Sequence, residues 1–246
     1  MNLKRKTVLV TGSSSGIGKA TAMRFAKEGC NIVVHYHENE KGAKGVVEEI
    51  GKLGVKSFEV KADLSVESDI KKLFKKVIDE FDSLDILINN AAHPSEKVPY
   101  FEANQEDLLD LLNINLVNVM LCSQYAVEIM KKQGSGKILN TSSIKGWEHG
   151  GSSITYAVSK AAVNSLTRTL AKHVAPEIQV NAVAPGYVKT RIYDGQPQEK
   201  IDNWLGGTYL KRWITVDEIA EAFLFLAKND AMTGQVIYVD AGFTLK

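Results

Sequence analysis

Two cysteines, Cys30 and Cys122, are all that the 246 residues contain, and neither stands in a CxxC pair or a Cys/His cluster. That sets aside a disulfide scaffold and a structural zinc site. Charge of one sign is lacking too. Thirty Lys and Arg against 29 Asp and Glu leave a formal net charge of +1, so no long-range field selects nucleic acid or an anionic membrane as partner. Long apolar runs are missing. The start "MNLKRKTVLVTG" is basic, but its apolar run covers only four or five residues, too short for a signal peptide or a bilayer span. Repeats, low-complexity tracts and an interdomain linker are absent as well. The expectation is one cytoplasmic domain over residues 1–246. Its 44% hydrophobic and 24% charged residues suit a soluble protein with a sizeable core.

What is there is alternation. "TVLVT" (7–11), "NIVVHY" (31–36), "KSFEVK" (56–61), "DILINN" (85–90), "GKILNTS" (136–142), "IQVNAVA" (178–184) and "QVIYVD" (235–240) read as strands. Several are apolar at consecutive positions, as strands covered on both faces are. Helical periodicity falls between them, at 17–28, 39–53, 66–81, 105–132, 154–174 and 216–228. "DLSVESDIKKLF" carries Ser and Asp as start signals of the third helix. The pattern predicts an α/β fold: a doubly wound Rossmann-type domain, its seven-stranded parallel sheet flanked by helices on both faces. Residues 189–214 have the weakest regular pattern. They hold one Pro, three Gly and the bulky aromatics Trp204, Tyr209 and Trp213, and are expected to form a lid over the substrate.

Such sheets bind ligands at the carboxyl ends of their strands. After the first strand comes "TGSSSGIG". Gly12 allows a tight turn, Gly16 lets the backbone approach a pyrophosphate, and Gly18 lets the next helix pack close, with its free N–H groups facing the phosphates. Further on, "YAVSK" sets Tyr156 and Lys160 on one helical face. A tyrosine ordinarily titrates near 10. A neighbouring ammonium is expected to lower that value and suit Tyr156 to proton transfer.

TGxxxGxG near the start, "NNAA" at 89–92, a Ser thirteen residues before YxxxK and "PG" at 185–186 resemble the short-chain dehydrogenase/reductase family over nearly the whole chain. The nearest overall pattern is that of 3-oxoacyl-acyl-carrier-protein reductases. The resemblance implies an NAD(P)-dependent oxidoreductase that reduces a ketone to a secondary alcohol. Asn115, Ser143, Tyr156 and Lys160 would be its catalytic set. Ser142 rivals Ser143, and Asn113 rivals Asn115. The cofactor would lie along Gly12, Ser13, Ser14, Ser15, Gly16, Ile17, Gly18, Tyr36, His37, Asp63, Leu64, Asn90, Ala91, Tyr156, Lys160, Pro185, Gly186, Val188 and Thr190. Asp63 reads equally as a turn or cap residue, and Thr190 as the cap of the lid. Ala92 stands where the family has Gly, a costly exchange if φ there must be positive.

Tyr36 falls where NAD-preferring relatives carry Asp, and His37 where NADP-preferring ones often carry Arg or Thr. NADP is therefore favoured over NAD. Counting from Gly18 could also nominate Glu38 as the acidic reader of the ribose, although it is expected to open the next helix. Trp147, Glu148, His149, Tyr187 and Trp204 would edge the substrate site, together with Ser143 and Tyr156. The substrate would be a small-molecule carbonyl or alcohol: 3-oxoacyl, or alternatively a sugar or polyol. A non-catalytic dinucleotide-binding regulator is the remote alternative. The resemblance also raises acyl carrier protein as a partner, although "KKQGSGK" and "AKHVAPE" lack the arginines that commonly dock it. Nucleic acid, membrane and metal are not expected. The helices at 105–132 and 154–174 are apolar over more than one stripe, which, with the family's habit, predicts a homo-tetramer through this pair.

Overall fold

The computed structural model describes residues 1–93, 98–147 and 153–245. Seven strands form one sheet: β1 (Thr7–Val10), β2 (Asn31–Tyr36), β3 (Ser57–Lys61), β4 (Ile86–Asn89), β5 (Gly136–Thr141), β6 (Ile178–Pro185) and β7 (Val236–Val239). All pairs are parallel, in the order β3-β2-β1-β4-β5-β6-β7. Alternate side chains divide between two cores. Val8, Val10, Ile32, Val34, Ile86, Ile88, Leu139 and Val183 meet α1 (Gly16–Lys27), α2 (Glu40–Gly51) and α8 (Val216–Lys228) through Phe25, Val46, Ile50 and Phe223. Leu9, Val33, Leu87, Ile138 and Val180 meet α3 (Glu67–Phe81), α5 (Asn118–Gln133) and α6 (Ile154–Val174) through Leu73, Phe74, Ala126 and Val174. Burial on both faces is why these strands read as continuous apolar runs. Phe25 and Phe223 are fully buried, and truncating either to Ala would cost about 3–5 kcal/mol. The strand order reverses at β1 and β4, so the crevice beyond their carboxyl ends is where a ligand belongs.

Three expectations need correction. The helix foreseen at 105–132 is divided: α4 (Gln105–Leu112) leads through a π-turn at Asn113–Val117 into α5. The Asn118 N–H reaches back five residues to the Asn113 carbonyl. Residues 189–214 are not all loop. They hold a 3-10 turn (Arg191–Tyr193) and α7 (Gln198–Gly206), none of whose residues is fully buried. The third helix spans the foreseen 66–81 to within a residue, but neither the Ser nor the Asp of "DLSVESD" caps it. Val66 is its cap, with no side-chain hydrogen bond, and Glu67 and Asp69 supply the acidic first turn.

Candidate active site and nucleotide cradle

The turn out of β1 is built as its glycines require. Gly12 has φ +63° and Gly16 φ +55°, both in the left-handed region. Gly18 is ordinary helix, but a Cβ there would stand 2.3 Å from the Gly12 carbonyl. At Gly16 a Cβ would meet only Thr190 Cγ2, 3.9 Å away, so the loop is open toward the segment after β6. Ser15, the N-cap of α1, makes no side-chain cap hydrogen bond, which leaves the helix start facing the crevice. This cradle fits a pyrophosphate. Of the three serines, Ser13 is fully buried and gives its hydroxyl to the Val10 carbonyl at 2.7 Å, so it does not offer that hydroxyl to a phosphate. Ser14 and Ser15 lie outward.

Asn90 pins this loop to β4. Its Nδ2 donates to the Thr11 and Gly12 carbonyls at 2.9 and 3.2 Å. Its backbone N–H and that of Ala91 both donate to Thr11 Oγ1, at 2.8 and 3.0 Å. Asn89 is turned inward onto Ser123 and Asn140. Ala92 has no positive φ, so the exchange for Gly carries no strain. At the other end of the cradle, Tyr36 is buried and His37 Nε2 stands 3.7 Å from Asp63 Oδ2. Asp63 shapes the turn after β3. It accepts from the Ser65 N–H and hydroxyl at 2.9 and 2.7 Å, and those bonds hold its carboxyl below the usual range. Leu64 is buried in the core. Ile17 packs beside the opposite one. Glu38 lies just past β2 but does not open α2. Asn39 caps that helix, accepting from Gly42 N–H, and Glu40 is its first-turn acid.

The catalytic candidates meet beyond β5. Ser143 is buried, and its Oγ accepts from Lys145 N–H at 3.2 Å. It stands close enough to the Tyr156 phenol to favour the phenolate. Lys160 is buried. Its Nζ donates to the Thr141 carbonyl at 2.9 Å and sits 5.8 Å from the Tyr156 ring centre. The expected pull of the ammonium on the phenol does not dominate here. Burial pushes the Tyr156 hydroxyl up, with Ser143 opposing, and burial pushes Lys160 down to about 8. Ser142 is committed elsewhere, donating to Asn164 Oδ1 at 2.5 Å. Between the asparagines the structure separates roles. Asn115 is fully buried in the π-turn. It accepts from His93 N–H at 2.7 Å and donates to His93 O at 2.9 Å and to Ser159 Oγ at 3.4 Å. Ser159 in turn donates to the Tyr156 carbonyl at 2.7 Å.

After β6, Gly186 lies against Asp240, whose Cα a Cβ would meet at 2.8 Å; Pro185 is the last residue of the strand. Buried Val188 bridges Ile214, stitching the two roots of the 189–214 segment together. Thr190 precedes the 3-10 turn without a side-chain cap bond. Tyr187 and Trp204 do come together, stacked at 5.9 Å, with Tyr193, Trp213 and Phe243 around them. Tyr209 stands apart beside Gly242. Trp147 is also apart: it is 60% exposed and edge-on to Tyr238. Glu148 and His149 lie outside the described residues. Sequence reasoning passed over Thr11, Ser159, Tyr193 and Lys145. The first two adjoin named motifs, which was their only signal. Lys145 Nζ sits 5.1 Å from the Phe243 ring centre.

A crevice at the reversal of a parallel sheet, a glycine cradle and a Ser–Tyr–Lys cluster define a nucleotide-dependent oxidoreductase. A family model described as Enoyl-(Acyl carrier protein) reductase matches residues 12–244, and the chain belongs to the short-chain dehydrogenase/reductase family. It is an NAD(P)-dependent enzyme acting on CH–OH or carbonyl groups. Among its relatives, the 3-oxoacyl-acyl-carrier-protein reductase of Staphylococcus epidermidis is 36% identical over 240 residues, 96% of this chain and 98% of that one. Glucose 1-dehydrogenase 2 of Bacillus subtilis is 34% identical over 249 residues, 99% and 96% of the two chains. A crystal structure of a short chain dehydrogenase from Burkholderia cenocepacia in complex with NADP superposes with a TM-score of 0.92 at 29% identity, covering 99% of each chain. Among the described residues no helix is long and apolar enough to cross a membrane, and no cluster of metal-ligating side chains occurs.

Proposed function

We propose that this enzyme reduces a 3-oxoacyl or related ketone to the secondary alcohol with NADPH, using Tyr156 as proton donor. The observation that carries this reading is the meeting of buried Ser143 beyond β5 with Tyr156 and buried Lys160 on α6, the Lys160 Nζ 5.8 Å from the Tyr156 ring centre. A carbonyl oxygen set beside them would meet both hydroxyls together. Bound NADPH supplies the hydride. The chain supplies the rest: Ser143 polarises the carbonyl, Tyr156 gives its proton to the oxygen as charge develops there, and Lys160 stabilises the phenolate left behind. Burial pushes Lys160 down to about 8, which leaves the ammonium the main form at neutral pH. Asn115 ties the loop after β4 to α6 and so fixes the helix that carries the pair.

NADPH is preferred because β2 ends on Tyr36 rather than a carboxylate, and Glu38 lies past the strand. The relative solved with NADP supports the same choice. The acyl reading draws on the reductase relatives and on the aromatic wall of Tyr187, Tyr193, Trp204 and Trp213 in the 189–214 segment, which serves as the lid. Oxidation of a sugar or polyol, with the oxidised nucleotide taking the hydride, is the second reading, favoured by the glucose dehydrogenase relative. A carbonyl panel run with NADPH and NADH, beside an alcohol and sugar panel run with NADP+ and NAD+, tests both. Thioester ketones with NADPH are expected to turn over fastest, and sugars turning over faster would select the second reading. In the same panel Tyr156→Phe is expected to lower kcat by about a thousandfold or more; full turnover by that variant would end the proposed proton-donor role.

A further inference from the structure

His35 is the polar exception in β2, flanked by buried Val33, Val34 and Tyr36 and itself only 2% exposed. Its ring makes two hydrogen bonds whose directions are fixed by their partners. Nδ1 lies 2.9 Å from the Gly12 N–H, which can only donate. Nε2 lies 3.1 Å from the Ala62 carbonyl, which can only accept. One state satisfies both: the neutral imidazole with its proton on Nε2. Burial keeps the ring neutral by pushing it down to about 4, with His37 and Asp63 as the nearby titratable groups. The backbone of the same residue holds the next position of the loop. Ser13 N–H donates to the His35 carbonyl at 2.9 Å, and the His35 N–H donates to Ser13 Oγ at 3.1 Å. His35 therefore touches the phosphate loop at Gly12 and Ser13 while its far ring nitrogen grips Ala62, directly before Asp63.

We infer that His35 is a positioning residue for dinucleotide binding, a tautomer-locked strut that joins the pyrophosphate turn to the adenosine corner. The inference rests on the reading of Gly12–Gly18 as the dinucleotide cradle. Gly12 N–H points away from the crevice into the ring, and this fixes the left-handed turn from which the later amides of the loop start. A ligand that spans both ends of the cradle needs their spacing set beforehand, and preorganisation of this kind appears in affinity rather than in chemistry.

The test titrates NADPH and NADH into wild type, His35→Val and His35→Asn, alongside steady-state kinetics. Val and Asn are near in size, so they leave similar space, but only Asn offers an oxygen where Nδ1 stood. His35→Val is expected to weaken nucleotide binding and raise its KM about tenfold, the weight of one buried hydrogen bond. Its kcat at saturating cofactor should stay within about twofold of wild type, and His35→Asn should recover most of the affinity. A valine variant that binds like wild type, or an asparagine variant no better than valine, overturns the inference. A wild type that binds neither nucleotide overturns the cradle reading with it. Should the valine variant fail to fold, amide exchange in nucleotide-free wild type decides: slow exchange at Gly12 upholds the strut and fast exchange removes it.

Discussion

Lys160 is the residue on which pH acts first. Its amine is pushed down to about 8 by burial, while burial pushes the Tyr156 phenol up. The cation supports reduction below that value and is lost as pH rises through it, with Tyr156 still protonated. kcat/KM for the carbonyl is therefore expected to fall on an alkaline limb centred near 8. Lys160→Arg, always charged, should remove that limb from the measurable range while lowering the plateau. A limb unchanged in the arginine variant would assign it elsewhere. His35 sets an acid effect of the opposite kind. Its folded value near 4 lies below the unfolded 6.5. Unfolding therefore takes up a proton between those values, and stability present above 6.5 is lost as pH falls toward 4, by roughly 3 kcal/mol at the limit. Denaturant titrations at several pH values should show a shallower slope in His35→Asn than in wild type.

The elements differ in how far a sequence alone can reveal them. Strands such as "NIVVHY" and "DILINN" carry their own signal, because both faces are buried and each holds three consecutive apolar residues, Ile32 to Val34 and Ile86 to Ile88. Tyr156, Lys160 and Ser143 also stand where spacing put them. The π-turn does not announce itself. The Asn115 it carries is bonded to the backbone of His93, 22 residues away, and a periodicity count over 105–132 cannot see that bond. The ring bonds of His35 are hidden for the same reason: they join three strands' ends. α7 escaped because its apolar stripe is a single turn, Ile201, Trp204 and Leu205, none of them fully buried, in a stretch rich in Gly and polar residues. That also determines how it can be tested. A helix with little core contact contributes little to global stability, whereas its Trp204 stacks on Tyr187, which directly follows Pro185 and Gly186. Trp204→Ala is expected to raise KM for the carbonyl substrate about tenfold, with the thermal midpoint moving by only a few degrees at most. Thermal melts beside substrate titrations check this; a large drop in midpoint with unchanged KM would make the aromatic wall structural only.

At the scale of the whole molecule, α6 has two faces with different occupations. One buries Ser159, Lys160, Val163 and Thr167 against the sheet and the 3-10 turn Ile144–Gly146. The other leaves Ile154 at 42% and Val158 at 56% exposed, one turn apart. The adjoining run through the π-turn into α5 leaves Val117 and Met120 partly exposed as well. Apolar side chains gathered this way on neighbouring helices form a surface that a second copy of the chain would cover, and each fully covered side chain is worth about 1.5–3 kcal/mol. The tetramer expected from the sequence would close through this face. Val158→Glu places a carboxylate there at no cost to the monomer's core, since Val158 contributes nothing to it. The variant is expected to sediment as a smaller species. Because Val158 lies between Tyr156 and Lys160 on the same helix, loss of the partner should also loosen the catalytic pair and lower kcat more than it changes cofactor affinity. Wild type sedimenting as a monomer would refute the assembly. A dissociated variant with full kcat would keep the assembly and separate it from catalysis.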